Sequence, residues 1–199
     1  MSQTKDPKAT PPGIRDPARR TIINPTFNQA TTFRKYSYET NGEYTLLEDM
    51  VNPGGGNPQH YHTSYTETFQ VSQGQLGVEI EGITTILNPG DKAVVPIGIV
   101  HRFFNPSQDE ECRFTVELRP GNEGFEKFMY ILFGLVRDGL SDEEGIPKDK
   151  SVLALILDLG DVRQAGFSAA LMNPMIKGIA GYKRWRGVQA KLLERYWFS

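Results

Sequence analysis

Histidine is scarce in this chain, with three residues in 199, and two of them, His60 and His62, stand one position apart. Glu67 follows, in the stretch His-Tyr-His-Thr-Ser-Tyr-Thr-Glu. In an extended segment alternate side chains share a face, so the two imidazoles point the same way. A turn at Thr63, Ser64 and Tyr65 would bring the Glu67 carboxylate back beside them. Two imidazoles and a carboxylate converging on one point suit a borderline divalent metal. The third histidine, His101, lies in another segment of strand character, approached through Pro96 and Gly98. There is no fourth histidine to act as general base, and no Ser-His-Asp or Cys-His arrangement can be built without dismantling this group. Proton transfer would fall to metal-bound water, to Glu67, or to a tyrosine such as Tyr65 or Tyr44.

The elements that must position these residues read as β. From about residue 21 to 120 the chain alternates short runs rich in β-branched and aromatic residues with turn clusters such as Asn-Pro-Gly-Gly-Gly, Glu-Gly and Asn-Pro-Gly-Asp. Short strands with no helical period between them indicate a sandwich or barrel. Strand alternation points Phe69 and Val71, after Glu67, and Phe103, after His101, toward the interior. The same alternation sends Leu76, Val78 and Ile80 inward, and Cys112, Phe114, Val116 and Leu118 likewise. The interior is thus expected to be apolar and aromatic, with Phe69 and Phe103 nearest the histidines and lining a substrate pocket.

The two stretches read Gly54-x5-His60-x-His62-x4-Glu67-x6-Gly74 and Gly90-x5-Pro96-x-Gly98-x2-His101-x3-Asn105. At background frequencies of about 5% each, ten matched positions in a given register would arise by chance on the order of 10⁻¹³. Together they resemble the two motifs of the cupin superfamily. The resemblance implies a small antiparallel jelly-roll barrel whose mouth holds a metal on His60, His62, Glu67 and His101. A site of three nitrogens and one oxygen suits Fe(II), which we favour, or Mn, Ni, Co or Zn. Octahedral coordination by four protein ligands would leave two positions open, which favours a working metal over a structural one. The expected function is a metal-dependent dioxygenase or other oxidoreductase acting on a small enolic, phenolic or carboxylate substrate, with Glu67 as the catalytic carboxylate. The alternatives are a redox-silent isomerase, lyase, decarboxylase or cyclase, and a non-catalytic small-molecule-binding barrel. Barrels of this kind commonly pair through sheet edges, so a homodimer is expected.

Outside the barrel the chain has two further parts. Residues 1–20 are polar and rich in proline, lysine and arginine, which predicts a flexible N-terminal arm. Residues 121–199 form a helical C-terminal extension unlike any cupin element. In it Phe125, Phe128, Met129, Leu132, Leu135 and Val136 recur on one helical face, expected to cover the barrel's outer face. Ser141 is a candidate N-cap. The run Ser-Val-Leu-Ala-Leu-Ile-Leu-Asp-Leu-Gly fits a helix or a strand. Residues 181–198 read as a basic helix interleaved with aromatics, which suits packing on the barrel or across a dimer better than contact with an anionic membrane surface.

Composition narrows the classes. A formal charge of −2 and the absence of a helix-turn-helix pattern leave no pull toward nucleic acid. One cysteine, Cys112, excludes an internal disulfide framework and a multi-thiolate zinc site. No secretory h-region and no apolar run near the roughly 18 residues of a membrane span are present. A cytoplasmic protein with a small-molecule substrate and no organic cofactor is the expectation.

Overall fold

The computed structural model describes residues 10–26, 29–166 and 169–199. Its strands are β1 (Thr21–Asn24), β2 (Gln29–Lys35), β3 (Thr45–Val51), β4 (His60–Tyr61), β5 (Thr66–Gln73), β6 (Leu76–Ile80), β7 (Ile83–Leu87), β8 (Lys92–Val95), β9 (His101–Phe104), β10 (Cys112–Arg119) and β11 (Arg163–Gln164). They form two antiparallel sheets, ordered β1-β2-β3-β10-β5-β8 and β11-β4-β9-β6-β7. The chain crosses repeatedly from one sheet to the other, which gives the jelly-roll barrel.

Alternation explains the packing. On β3 Thr45, Leu47, Asp49 and Val51 are buried, on β5 Glu67, Phe69 and Val71, and on β10 Cys112, Phe114, Val116 and Leu118. Val116 stands opposite Leu47 on one side and Phe69 on the other. Between the sheets the rings of Phe69, Phe103 and Phe114 meet at centroid separations of 5.2 to 6.2 Å, in the range of favourable aromatic pairs. Gly74, the last glycine of the first motif, has φ +68°, and a Cβ there would lie 2.5 Å from the Glu111 carbonyl oxygen.

The extension comprises α2 (Glu123–Arg137), α3 (Lys150–Leu159), α4 (Ala169–Trp185), α5 (Val188–Leu193) and a π-helical turn, Glu194–Phe198; a short helix α1 (Pro12–Arg15) precedes the barrel. Asn122 caps α2, its side chain accepting from the Phe125 N–H at 2.8 Å. The ambiguous apolar run is helical because Asp149 caps it, accepting from Ser151 and Val152 N–H groups. Ser141 is not a cap; it bridges to Pro147.

Residues 1–9 of the expected arm lie outside the described residues. Residues 12–20 are no free arm. Arg15 donates to the carbonyls of Trp197 and Phe198, and Arg19 to those of Tyr196 and Ser199. These are carbonyls that the end of a helix leaves without intrahelical partners. Next to this seam Trp197 is fully buried against Tyr36 and Tyr130, whose hydroxyls share a 2.7 Å hydrogen bond. Three cations of the basic segment pair with acids: Lys183 with Asp149, Arg184 with Asp158, and Arg195 with Asp138.

Glu126 docks α2 onto the barrel. Its Oε1 accepts from the Ser37 N–H at 2.6 Å and the Thr45 hydroxyl at 2.7 Å, while Oε2 is buried without a partner among the described residues. Burial pushes its carboxyl up to about 7. Between an unfolded value near 4.5 and that folded one, the folded chain keeps a proton that the unfolded chain has lost. Stability from this group is therefore complete at low pH and lost as pH rises through about 7. Glu126→Gln should remove on the order of 3 kcal/mol of pH dependence. Urea unfolding of both proteins at pH 5 and pH 7.5 checks it, and equal slopes would refute it.

Candidate metal centre

Three strands and a turn bring the four candidate residues together. His60 on β4 stands directly opposite His101 on β9. His62 follows β4, and Glu67 enters from β5 in the other sheet after the expected turn. Ligand atoms of His60, His62, Glu67 and His101 all lie within 4.8 Å of one another. Glu67 Oε2 is 2.7 Å from His101 Nε2 and 3.5 Å from His62 Nε2. His60 is half-buried, and the other three are buried. Gly98, at φ +82°, donates its N–H to the His62 carbonyl at 2.7 Å, a left-handed turn that ties the approach to β9 onto the histidine segment.

Backbone carbonyls orient the rings. His60 Nδ1 lies 2.9 Å from Pro58 O, His62 Nδ1 3.0 Å from Asp161 O, and His101 Nδ1 2.9 Å from Ile99 O. A carbonyl can only accept, so each Nδ1 carries a proton and each Nε2 is turned toward the carboxylate. Among the described residues, His62 Nε2 is buried with no hydrogen-bond partner. A lone pair left in that state is costly unless a cation takes it. The donor set fits a divalent transition metal: three imidazole nitrogens, one carboxylate oxygen, and one orphaned lone pair. The electrostatics agree. Burial, followed by the neighbouring His62 and His101, pushes His60 down to about 3 and keeps it neutral. Burial alone would raise Glu67, but the facing His62 and His101 outweigh it and hold the carboxyl below its ordinary range. For His101 burial acts downward, and the hydrogen bond to Glu67 overcomes it and raises the ring.

Residues 48–117 match the family model of the cupin domain. The barrel is a cupin domain. The chain is 32% identical over 147 residues to "Probable oxidoreductase patJ" of Aspergillus clavatus, covering 64% of this chain and 44% of that protein. It is 30% identical over 156 residues to "Epoxidase atD" of Aspergillus terreus, covering 69% of this chain and 48% of that one. The chain thus spans less than half the length of these relatives. Among solved structures, an RmlC-like cupin from Shewanella frigidimarina superposes with a TM-score of 0.46 at 18% identity, over 54% of this chain and 90% of that one.

The extension completes the cupin site, which sequence reasoning missed. β11 pairs with β4, setting Arg163 opposite Tyr61 and Gln164 opposite His60. Asp161, just before it, adopts φ +53°. Its carbonyl takes the His62 Nδ1–H. Its carboxylate accepts from the Thr63 N–H at 2.7 Å, the Thr63 hydroxyl at 2.8 Å and the Ser64 hydroxyl at 2.7 Å. Arg163, buried, pairs with Asp158 at 2.9 Å and Asp161 at 3.2 Å. Tyr65 stands behind His62, 2.7 Å from its Nδ1, and donates to Gly160 O at 3.0 Å. It positions His62 and does not line the cavity. Tyr44 is not brought to the site; its ring lies under Arg119.

A cavity of about 380 Å³ opens beside the cluster, lined by His60, Glu67, Phe69 and Phe103. Phe125, Phe128, Met129, Leu132 and Phe133 of α2, Leu153 and Leu157 of α3, and the 145–147 loop close it. The apolar face of α2 therefore covers the cavity, where the barrel's outer face was expected, because the cavity is itself an apolar surface to bury. Asp161→Ala should weaken Co(II) binding by about 10- to 100-fold by loosening the turn that aims His62. Competition against a chromophoric chelator measures this, and unchanged affinity would refute the positioning role.

Proposed function

We propose that this chain is a metal-dependent oxidoreductase, dioxygenase-like in its chemistry, that acts on a small, largely apolar enolic or phenolic molecule held in the cavity. The observation that carries this reading is three carbonyl-oriented imidazoles facing one buried carboxylate at the wall of an apolar cavity. The printed names of the fungal relatives, an oxidoreductase and an epoxidase, support it. His60, His62, Glu67 and His101 would hold the metal. A bound redox-active ion would supply Lewis acidity and electron exchange with dioxygen.

This chain's own residues supply the rest. Phe69, Phe103 and the α2 face exclude water and hold a ring by its apolar surface. Glu67, which lines the cavity, accepts a hydrogen bond from a substrate hydroxyl. Its depressed pKa keeps it ionised, and burial strengthens its interaction with a nearby O–H. The proton between His101 Nε2 and Glu67 Oε2 occupies the place a metal would take, so the two compete.

Elemental analysis of protein purified without oxygen should show near-stoichiometric metal in the wild type and none above background in a His60→Ala, His101→Ala double variant. Iron together with oxygen uptake on phenolic or enolic compounds supports the oxidoreductase. Zinc with no oxygen uptake moves the assignment to redox-silent chemistry. Glu67→Gln should lower turnover at least about 100-fold. Metal affinity should also fall as pH drops through the raised His101 pKa, by about tenfold per pH unit below it. A pH-independent affinity would remove the proton–metal competition.

A further inference from the structure

The same cavity contains a second carboxylate that the metal centre does not use. Asp49 lies on β3 in the inward register between Leu47 and Val51 and is 3% exposed. It lines the cavity together with Gln29, His60 and Glu67. Gln29 Nε2 donates to Asp49 Oδ2 at 3.1 Å, and the Thr31 hydroxyl, opposite Asp49 across the β2–β3 pair, also stabilises the carboxylate. Asp49 Oδ1 is buried with no partner among the described residues. Glu126 also leaves one oxygen unpartnered but does not line the cavity, whereas Asp49 does, so a bound molecule can satisfy its Oδ1. Asp49 and Glu67 stand apart along the sheet, yet close enough that Glu67 helps to raise the Asp49 carboxyl. Asp49 pairs through Phe114 with Val71, four residues along β5 from Glu67, which is about 13 Å of strand.

We propose that Asp49, held by Gln29, is a second polar anchor of the cavity and takes a hydroxyl group on a neutral ring compound whose reacting oxygen sits at the His60, His62, Glu67 and His101 cluster. The inference rests on the cavity being the substrate site. Leu47, Phe69, Phe103, Val116, Phe125 and Phe128 also line the cavity, so the ligand's body is apolar. Its volume of about 380 Å³ suits a mono- or bicyclic ring. Two carboxylates in one cavity disfavour an anionic ligand. Burial pushes Asp49 up to about 7, so near neutrality it exists as acid and as carboxylate. A hydroxyl partners either form, accepting from the acid and donating to the carboxylate. A fixed cation matches only the carboxylate.

The test compares binding of 2-naphthol and 2-methylnaphthalene to the full chain as purified, by equilibrium dialysis, in wild type and in Asp49→Leu and Asp49→Asn. Wild type should prefer the naphthol by about tenfold. Asp49→Leu should erase the preference while binding the methyl compound at least as well, and Asp49→Asn, which keeps a polar partner, should retain it. A preference that survives Asp49→Leu places hydroxyl recognition elsewhere, at the histidine cluster, and overturns the proposal while leaving the cavity as the binding site. Binding of neither compound to wild type overturns the cavity reading itself. Infrared difference spectra of wild type supply a readout that needs no folded Asp49→Leu. A carboxyl C=O band should shift with naphthol, stay fixed with 2-methylnaphthalene, and be missing in Asp49→Asn; no naphthol-dependent shift refutes the anchor.

Discussion

Three imidazoles can face one buried carboxylate productively only when each turns its Nε2 inward, and that depends on three backbone carbonyls. Pro58, Ile99 and Asp161 each accept an Nδ1–H, which assigns the tautomer and the ring plane together. Two of these carbonyls lie two residues before the histidine they serve, so strand geometry supplies them locally. The third comes from nearly 100 residues away in sequence. The rest of the architecture can be understood as what is needed to bring that third carbonyl, and the helix before it, to the barrel mouth.

That requirement gives the C-terminal extension its role. α3 delivers Asp161, whose side chain and carbonyl grip both sides of the Thr63–Ser64 turn, and β11 then adds a strand beside His60. α2 is held across the opening by Glu126, a carboxyl that tolerates burial because two donors reach one of its oxygens. The arginines of residues 15–20 and the buried Trp197 close the far end of the extension against the barrel. A shared consequence is a largely apolar cavity with ionisable groups in its wall, where each charge or hydrogen bond counts for more than it would in water.

Legibility in the sequence followed interaction range. The His60, His62 and Glu67 group was readable because strand alternation and a three-residue turn are local, and His101 because its motif carries its own Pro and Gly spacing. Phe69 and Phe103 followed from the same period of two. Asp49 was equally accessible, an acidic residue on the inward step of an apolar strand, yet a strand read for its hydrophobic members conceals it. Asp161 had no local signal: nothing in Asp-Leu-Gly-Asp-Val-Arg says that its partners are Thr63 and Ser64. The apolar run ending in Gly160 fitted two secondary structures until the Asp149 cap decided for helix. The basic, proline-rich segment before residue 21 read as a free arm because the carbonyls that bind its arginines belong to the other end of the chain.

The sequence by itself indicated a barrel or sandwich and its inward-facing residues, since these follow from strand alternation, and the resemblance of its two motifs to those of cupins implied the four residues of the candidate metal centre. Only the tertiary structure decided how His62 is oriented, which helix face roofs the cavity, and that Asp49 shares that cavity with Glu67. Those are contacts between segments far apart in sequence, and their free energy comes from burial and hydrogen-bond satisfaction that no single segment carries alone.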